Sequence, residues 1–228
     1  MDSMFDILMS LPLFHGVSRS RLDEIVGTTK FHFLKYLPGE TIVTPGEQCT
    51  HIKFVISGTV RSSIANSNDR FTVAQTLDAP AVISPEFLFG RSTFYPCQVT
   101  ALTTTGILQI AKNDYVKLLK LDSVFMYNFM NIISMKAQQA EEGIMALTTG
   151  SLEERIAFWI TSLTQNGGRD ITLAAKKRDL YSVFGVQRSS FMSTLDSLKE
   201  RGIIDYDTDE IKVLSRRDLL HILHTDSD

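Results

Sequence analysis

Apolar and polar positions change rhythm twice along this chain. Between Phe31 and Ala111 they alternate in short runs broken by turn residues. "KFHFLKYL" alternates and then meets "PGE", a turn signal. "HIKFVISG" and "TVRSSIA" read as neighbouring strands meeting at Gly58, and "FTVAQTL", "CQVTAL" and "GILQIA" as further short strands. Many short strands separated by turns predict a sandwich or small barrel. Ahead of them, "SRSRLDEIVG" reads as a short helix.

At Leu121 the period lengthens. Asp122 or Ser123 can cap a helix by accepting from its free backbone N–H groups. Apolar or small residues then recur at Met126, Met130, Ile133, Ala137, Ala140, Ile144 and Leu147. The steps alternate four and three, which is a heptad seam suited to a second copy of the same helix. From Ser123 to Leu147 such a helix would be about 37 Å long. Phe125, Phe129 and Ile132 form a second apolar face able to pack on the chain's own β domain. Gly143 lowers the helix propensity near its end.

"TTGSLEER" interrupts this pattern as a hinge over 148–151. Ser151 and Glu154 then make an S-x-x-E capping box that starts a new helix, which continues through "RIAFWITSL" and stops at "NGG". After it come a strand at "DITL", a helix near 176–184, a turn at Gly185–Val186, a helix over 187–201, and "GII" with "EIKVL" as a hairpin. Two short helices joined by a tight turn with glycine predict a helix-turn-helix. Leu180, Val183, Phe184, Val186, Phe191, Leu195 and Leu198 are its expected core. Gln187, Arg188, Ser190 and Ser193 would face outward near the start of the second helix, where an arginine can donate two hydrogen bonds to guanine. Lys176, Lys177 and Arg178 would meet phosphates, and 204–214 would add a wing. The competing reading is a plain helical hairpin with solvated charges.

Composition narrows the options. The chain has 228 residues and a formal charge of −3, which argues against binding nucleic acid over its whole surface. From Arg169 to Arg201, however, seven basic residues outnumber four acidic ones, giving a local +3. No apolar run approaches the roughly 20 residues of a membrane span. The N-terminus carries Asp2 and Asp6 where a secretion signal has basic residues, so the reading is a cytoplasmic protein with no membrane partner. Two cysteines, Cys49 and Cys97, cannot ligate an iron–sulfur cluster alone. His15, His32, His51, His221 and His224 have no metal-ligand spacing, and no metal site is expected. No G-x-S-x-G, G-x-G-x-x-G, Walker loop or H-E-x-x-H is present, so the reading is not an enzyme.

The order of β-roll, long helix, hinge and helix-turn-helix resembles the cyclic-AMP receptor protein/fumarate–nitrate regulator (CRP/FNR) family of bacterial transcription factors. The residues that carry this are "PGE" at 38–40, "GE" at 46–47, "FVISGTV" at 54–60 and "DLYSVFGVQRSSFMSTLDSLKERGII" at 179–204. The resemblance implies an α+β fold: a cyclic-nucleotide-binding-like β-roll (a double-stranded β-helix or jelly roll) over 1–121, a dimerisation helix over 122–147, a hinge over 148–151 and a winged helix-turn-helix over 152–228. It implies a homodimer that reads a roughly palindromic operator in double-stranded DNA. An effector in the roll would control it, and RNA polymerase would be a partner.

The expected effector region departs from that family. Its cyclic-AMP binders hold the cyclic phosphate with a glycine–glutamate–leucine stretch and a later arginine–serine pair. The glycine and glutamate are matched here by Ser84 and Pro85, and the arginine–serine pair by Tyr95 and Pro96. The adenine-contacting threonine–serine pair becomes Ala140 and Glu141. Glu86 or Arg91–Ser92 would restore the site only with a register shift. Cyclic AMP is therefore disfavoured. Ile83, Ser84, Pro85, Glu86, Phe87, Phe89, Tyr95, Cys97 and Ala140 are left as candidates to line a site for an apolar or aromatic effector, unless the aromatic side chains simply fill the roll. Haem held by a histidine stays open, as does a redox role for Cys97, which needs a lowered thiol pKa. The recognition helix also departs: the family's glutamate, threonine and second arginine are Ser189, Ser190 and Ser193 here. The rival functional reading is a ligand-binding or interaction module that does not act through DNA.

Overall fold

The computed structural model describes residues 4–66, 70–148 and 150–223. The backbone forms two compact units, one of Met1–Ser62 with Leu77–Lys136 and one of Ser63–Thr76 with Ala137–Asp228. Thr149 of the expected hinge and His224 lie outside the described residues.

In the first unit, α1 (Met4–Ser10), a 3-10 turn at Pro12–Phe14 and α2 (Arg19–Thr28) precede the strands. Ser18 caps α2 by accepting from the Arg21 amide. The strands are β1 (His32–Tyr36), β2 (Thr41–Val43), β3 (His51–Ser57), β4 (Thr59–Ala65), β5 (Phe71–Asp78), β6 (Ala81–Ile83), β7 (Cys97–Ala101) and β8 (Thr105–Ala111). One antiparallel sheet runs β1-β8-β3-β6. β2 pairs with β7, whose other neighbour is β4. The core between these strands holds Phe54, Val60, Ile107 and Leu108, and α2 adds Leu22 and Ile25.

The helix α3 (Lys112–Leu121) follows β8 directly and buries Tyr115, Leu118 and Leu119. The sequence pattern had not assigned it. The long helix is present as α4 (Ser123–Ala146). Phe125 is fully buried and Phe129 packs on the same core, as their shared apolar face predicts. Asn128 donates from its amide to the Leu13 and His15 carbonyls and fixes the helix against the first segment.

In the second unit the capping box forms as read: Ser151 accepts from the Glu154 amide, and Glu154 accepts from the Ser151 amide. It starts α5 (Leu152–Ser162). β9 (Arg169–Ala175), α6 (Lys177–Val183), α7 (Arg188–Glu200), β10 (Ile204–Tyr206), β11 (Glu210–Val213) and α8 (Arg216–Ile222) follow. The strands run β10-β11-β9-β5, so the outer half of β5 belongs to this unit's sheet. Phe71 stands opposite Ala175 and Val73 opposite Leu173. Val73 is buried in the core with Ile160, Leu173, Phe184, Phe191 and Leu195. Gln75 accepts from the Gln165 amide at 2.8 Å.

Gly143 has a packing reason rather than a weakening role. It is buried, and a Cβ there would overlap the Cβ and hydroxyl of Ser162 on α5. Among the described residues, no helix is long and apolar enough to cross a membrane.

Candidate nucleic-acid interface

The helix-turn-helix is built as the sequence predicts. α6 ends in a Schellman motif: the Gly185 amide donates to the Ser182 carbonyl and the Val186 amide to the Tyr181 carbonyl. Gly185 has φ +64°, a left-handed conformation that disfavours a side chain. Leu180, Phe184, Phe191, Leu195 and Leu198 are buried and join the two helices; the Phe184 and Phe191 rings stack at 5.8 Å. Val183, expected in this core, is instead exposed. The inward stripe of α6 runs through Leu180, Tyr181 and Phe184, and 100° per residue puts Val183 beyond its edge.

This geometry leaves the start of α7 free. Gln187 is its N-cap residue and makes no side-chain cap, and Gln187, Arg188, Ser190 and Ser193 are all exposed. Arg188 has no ion-pair partner among the described residues. A cleft of about 690 Å³ lies beside it, lined in part by Lys176, Arg178, Tyr181, Arg188 and Tyr206.

The three basic residues before and in α6 are not equivalent. Lys176 and Arg178 are exposed. Lys177 is half-buried, donates to the Glu210 carbonyl at 3.1 Å and lies 5.8 Å from the Tyr206 ring centre. Burial lowers its pKa from the ordinary lysine value. It ties α6 to the β10–β11 hairpin. That hairpin is the expected wing, and Tyr206 also holds it to α7. The Tyr206 hydroxyl bonds Asp196, which pushes the phenol's pKa up to about 12, and Lys199 lies 5.1 Å from the ring centre. The hairpin is acidic, with Asp205 on β10 and Asp207 and Asp209 in the turn all exposed.

Sequence reasoning missed one residue that positions the turn. Arg155 on α5 donates to the carbonyls of Phe184 and Leu147 and lies 5.7 Å from the Phe184 ring centre. Nothing local in the sequence signals this, because the partner lies on another element.

The expected effector residues are mostly interior. Ile83, Tyr95 and Cys97 belong to the roll's core, and Pro85 and Ser84 are buried. Ser84 has φ +42° and its hydroxyl lies 3.3 Å from the Cys97 thiol. The Tyr95 hydroxyl donates to the His51 carbonyl. Phe87 and Phe89 pack against the same core, and Phe89 meets Phe129 of α4 edge-on at 5.7 Å. Glu86 pairs with Lys136 of α4 at 3.2 Å. Arg91 and Ser92 are exposed. Burial pushes both cysteine thiols up, opposite to the shift a reactive thiolate needs. Among the described residues no cluster of His, Cys, Asp and Glu is fit to hold a metal ion.

On α4, Met126 is 39% exposed, Met130 53% and Ile144 68%. Ala137 and Ala140 are exposed too, and Ile133 is half-buried. Most of the seam residues are therefore uncovered within one chain, with Ile133 half-buried, whereas Phe125 is fully buried. Ala140 belongs to the second unit and the other expected effector residues to the first.

Residues 33–122 match the family model of the cyclic nucleotide-binding domain. The catabolite activator protein of Thermus thermophilus superposes with a TM-score of 0.54 at 19% identity, over 93% of this chain and 98% of that one. A putative transcriptional regulator of the CRP/FNR family from Eubacterium rectale gives 0.51 at 17%, over 95% and 99%. The chain has the CRP/FNR fold. A transcriptional regulator from Thermotoga maritima gives 0.50 at 21% identity, over 57% of this chain and 98% of that one. No curated protein matches the sequence. Within the CRP/FNR fold, the matched domain is the β-roll.

Proposed function

We propose that the chain is a DNA-binding transcriptional regulator of the CRP/FNR type. It acts as a homodimer and reads a roughly palindromic operator through α7. The observation that carries this is the exposed start of α7. A glycine-closed turn fixes the helix, Arg155 braces the turn, and Gln187, Arg188, Ser190 and Ser193 are presented with Arg188 unpaired among the described residues. A helix start so arranged fits the major groove, and Arg188 is its bidentate donor for guanine. Lys176 and Arg178 supply phosphate contacts that set affinity without sequence information. Lys177 is assigned chiefly to holding the wing.

The α4 seam is the proposed dimer interface. Met126, Met130, Ile133, Ala137, Ala140 and Ile144 follow the heptad spacing, and most are open within one chain. The alanines allow two helices to approach closely.

The effector is not cyclic AMP in this reading. Anion recognition needs charge-assisted donors, and the matching positions give two prolines, a buried serine and a core tyrosine in place of a clamp. An apolar effector at Phe87 and Phe89, beside the Glu86–Lys136 pair, fits the chemistry better. Electrophoretic mobility shift on the chain's own promoter region tests the function. Retarded promoter DNA at concentrations that leave scrambled DNA free supports it, and no retardation of either duplex refutes it.

A further inference from the structure

The residue just ahead of β5 is a cation beside the interface just described. The β5–β9 ladder ends with Phe71 opposite Ala175, so the next residues along the two strands are Arg70 and Lys176. Both are exposed. They line one cleft of about 460 Å³ together with Arg178, Asp179 and Asp209. Lys176, Arg178 and Asp209 also line the cleft beside Arg188. Arg70, Lys176, Arg178 and Arg188 thus border a continuous surface, and none has an ion-pair partner among the described residues. Like charges facing each other across a strand end are destabilising, and an anion placed between them removes that cost.

The opposite flank has the wrong sign. The hairpin turn presents Asp207 and Asp209, of which Asp209 also lines the cleft at Arg70, and Lys199 is paired with Asp205 of β10 at 2.7 Å. Three cations (Arg70, Lys176 and Arg178) face two carboxylates (Asp179 and Asp209) in the cleft at the β5 end, whereas the hairpin turn itself brings no cation, so phosphates approaching the start of α7 are favoured on the β5 side.

We propose that Arg70 contacts the phosphate backbone of DNA, in line with Lys176 and Arg178, and that this strand flank replaces the acidic wing turn as the outer phosphate contact. The partner is double-stranded DNA, and the contact is independent of sequence. This rests on the DNA-binding reading above and extends it to a segment of the chain that sequence alone assigns to the β-roll.

The test is fluorescence anisotropy on a random-sequence 40-base-pair duplex, titrated across a range of KCl concentrations. It uses the full chain as wild type, Arg70→Ala, Arg70→Lys and Arg178→Ala. Each lost phosphate contact should flatten the slope of log K against log salt by about 0.9, hence by about twice that for a dimer. Arg70→Ala should show this flattening and weaker binding at low salt, and Arg70→Lys should keep the wild-type slope. Asp209→Asn should tighten binding. Wild-type slope and affinity for Arg70→Ala, alongside a flattened Arg178→Ala, would overturn the inference and leave the DNA reading intact. No binding by wild type on any duplex would overturn both. Pyrophosphate binding that Arg70→Ala abolishes, with its DNA binding unchanged, would make the cleft a small-anion site and also overturn it.

Discussion

Gly143→Ala is a substitution for which two physical effects have opposite signs. In an isolated helix alanine is better than glycine by about 1 kcal/mol. The structure reverses the sign. Gly143 is buried where α4 crosses α5, and the new methyl would overlap the Cβ and Oγ of Ser162. The nearest contact after those is the Ser162 Cα at 3.9 Å, an ordinary van der Waals distance. Overpacking of this kind costs about 1–3 kcal/mol. Subtracting the propensity gain leaves a net loss of about 0–2 kcal/mol, centred near 1. For a chain of this size that is a fall of about 2–4 °C in melting temperature for each kcal/mol. Ser162→Gly removes both clashing atoms and by itself costs up to about 1 kcal/mol in helix propensity. The double variant should then be more stable than the sum of the single effects implies. Thermal and urea unfolding of all four proteins completes the cycle. If Gly143→Ala raises the melting temperature by the full propensity gain, the helix crossing does not exist as described. Additive single effects would contradict it equally.

Other expectations follow from the same structure. Ile133→Glu should convert a dimer to a monomer at micromolar concentration in sedimentation, because two charges would face each other across the seam; a persisting dimer would move the interface elsewhere. Isothermal calorimetry should detect no micromolar binding of cyclic AMP or cyclic GMP; such binding would mean that a register shift restores the clamp through Glu86 or Arg91–Ser92. Lys177→Ala should lower the melting temperature while changing the salt dependence of DNA binding less than Lys176→Ala does, since Lys177 already donates to Glu210. His51 has a pKa lowered chiefly by burial and further by Lys53 and His32. The folded state therefore disfavours its charged form, and stability falls as pH drops from about 6.5, its ordinary value, through the lowered folded pKa. In His51→Gln the urea midpoint should vary less with pH over that window, and an unchanged pH profile would remove His51 as its source.

Much of this fold was legible because its signals are local. The Ser151–Glu154 box and the glycine between α6 and α7 are each written within a few residues, and each formed, as did the long helix α4 that the helical spacing predicts. The helix α3 escaped notice although Tyr115, Leu118 and Leu119 have helical spacing, because its N-cap residue is Ala111 and makes no cap. Val183 was misplaced because spacing gives a helical stripe but not its edges. The joining of β5 to β9 was not legible: it pairs strands far apart in sequence, and both read as ordinary alternating segments. Arg155 was invisible for the same reason. In the roll, an aromatic-rich stretch reads alike whether it lines a pocket or packs a core. Burial of Ile83, Tyr95 and Cys97 assigns those three to packing.

The most direct test of the account is a pair of binding isotherms, for wild type and Arg188→Ala, on duplex from the chain's own promoter and on a scrambled duplex at matched salt. The account predicts that wild type prefers the promoter. Arg188→Ala should lose about 1–3 kcal/mol per half-site on it while keeping most of its affinity for scrambled DNA. Equal losses on both duplexes would make Arg188 a phosphate contact and contradict the assignment of α7 as the reading helix.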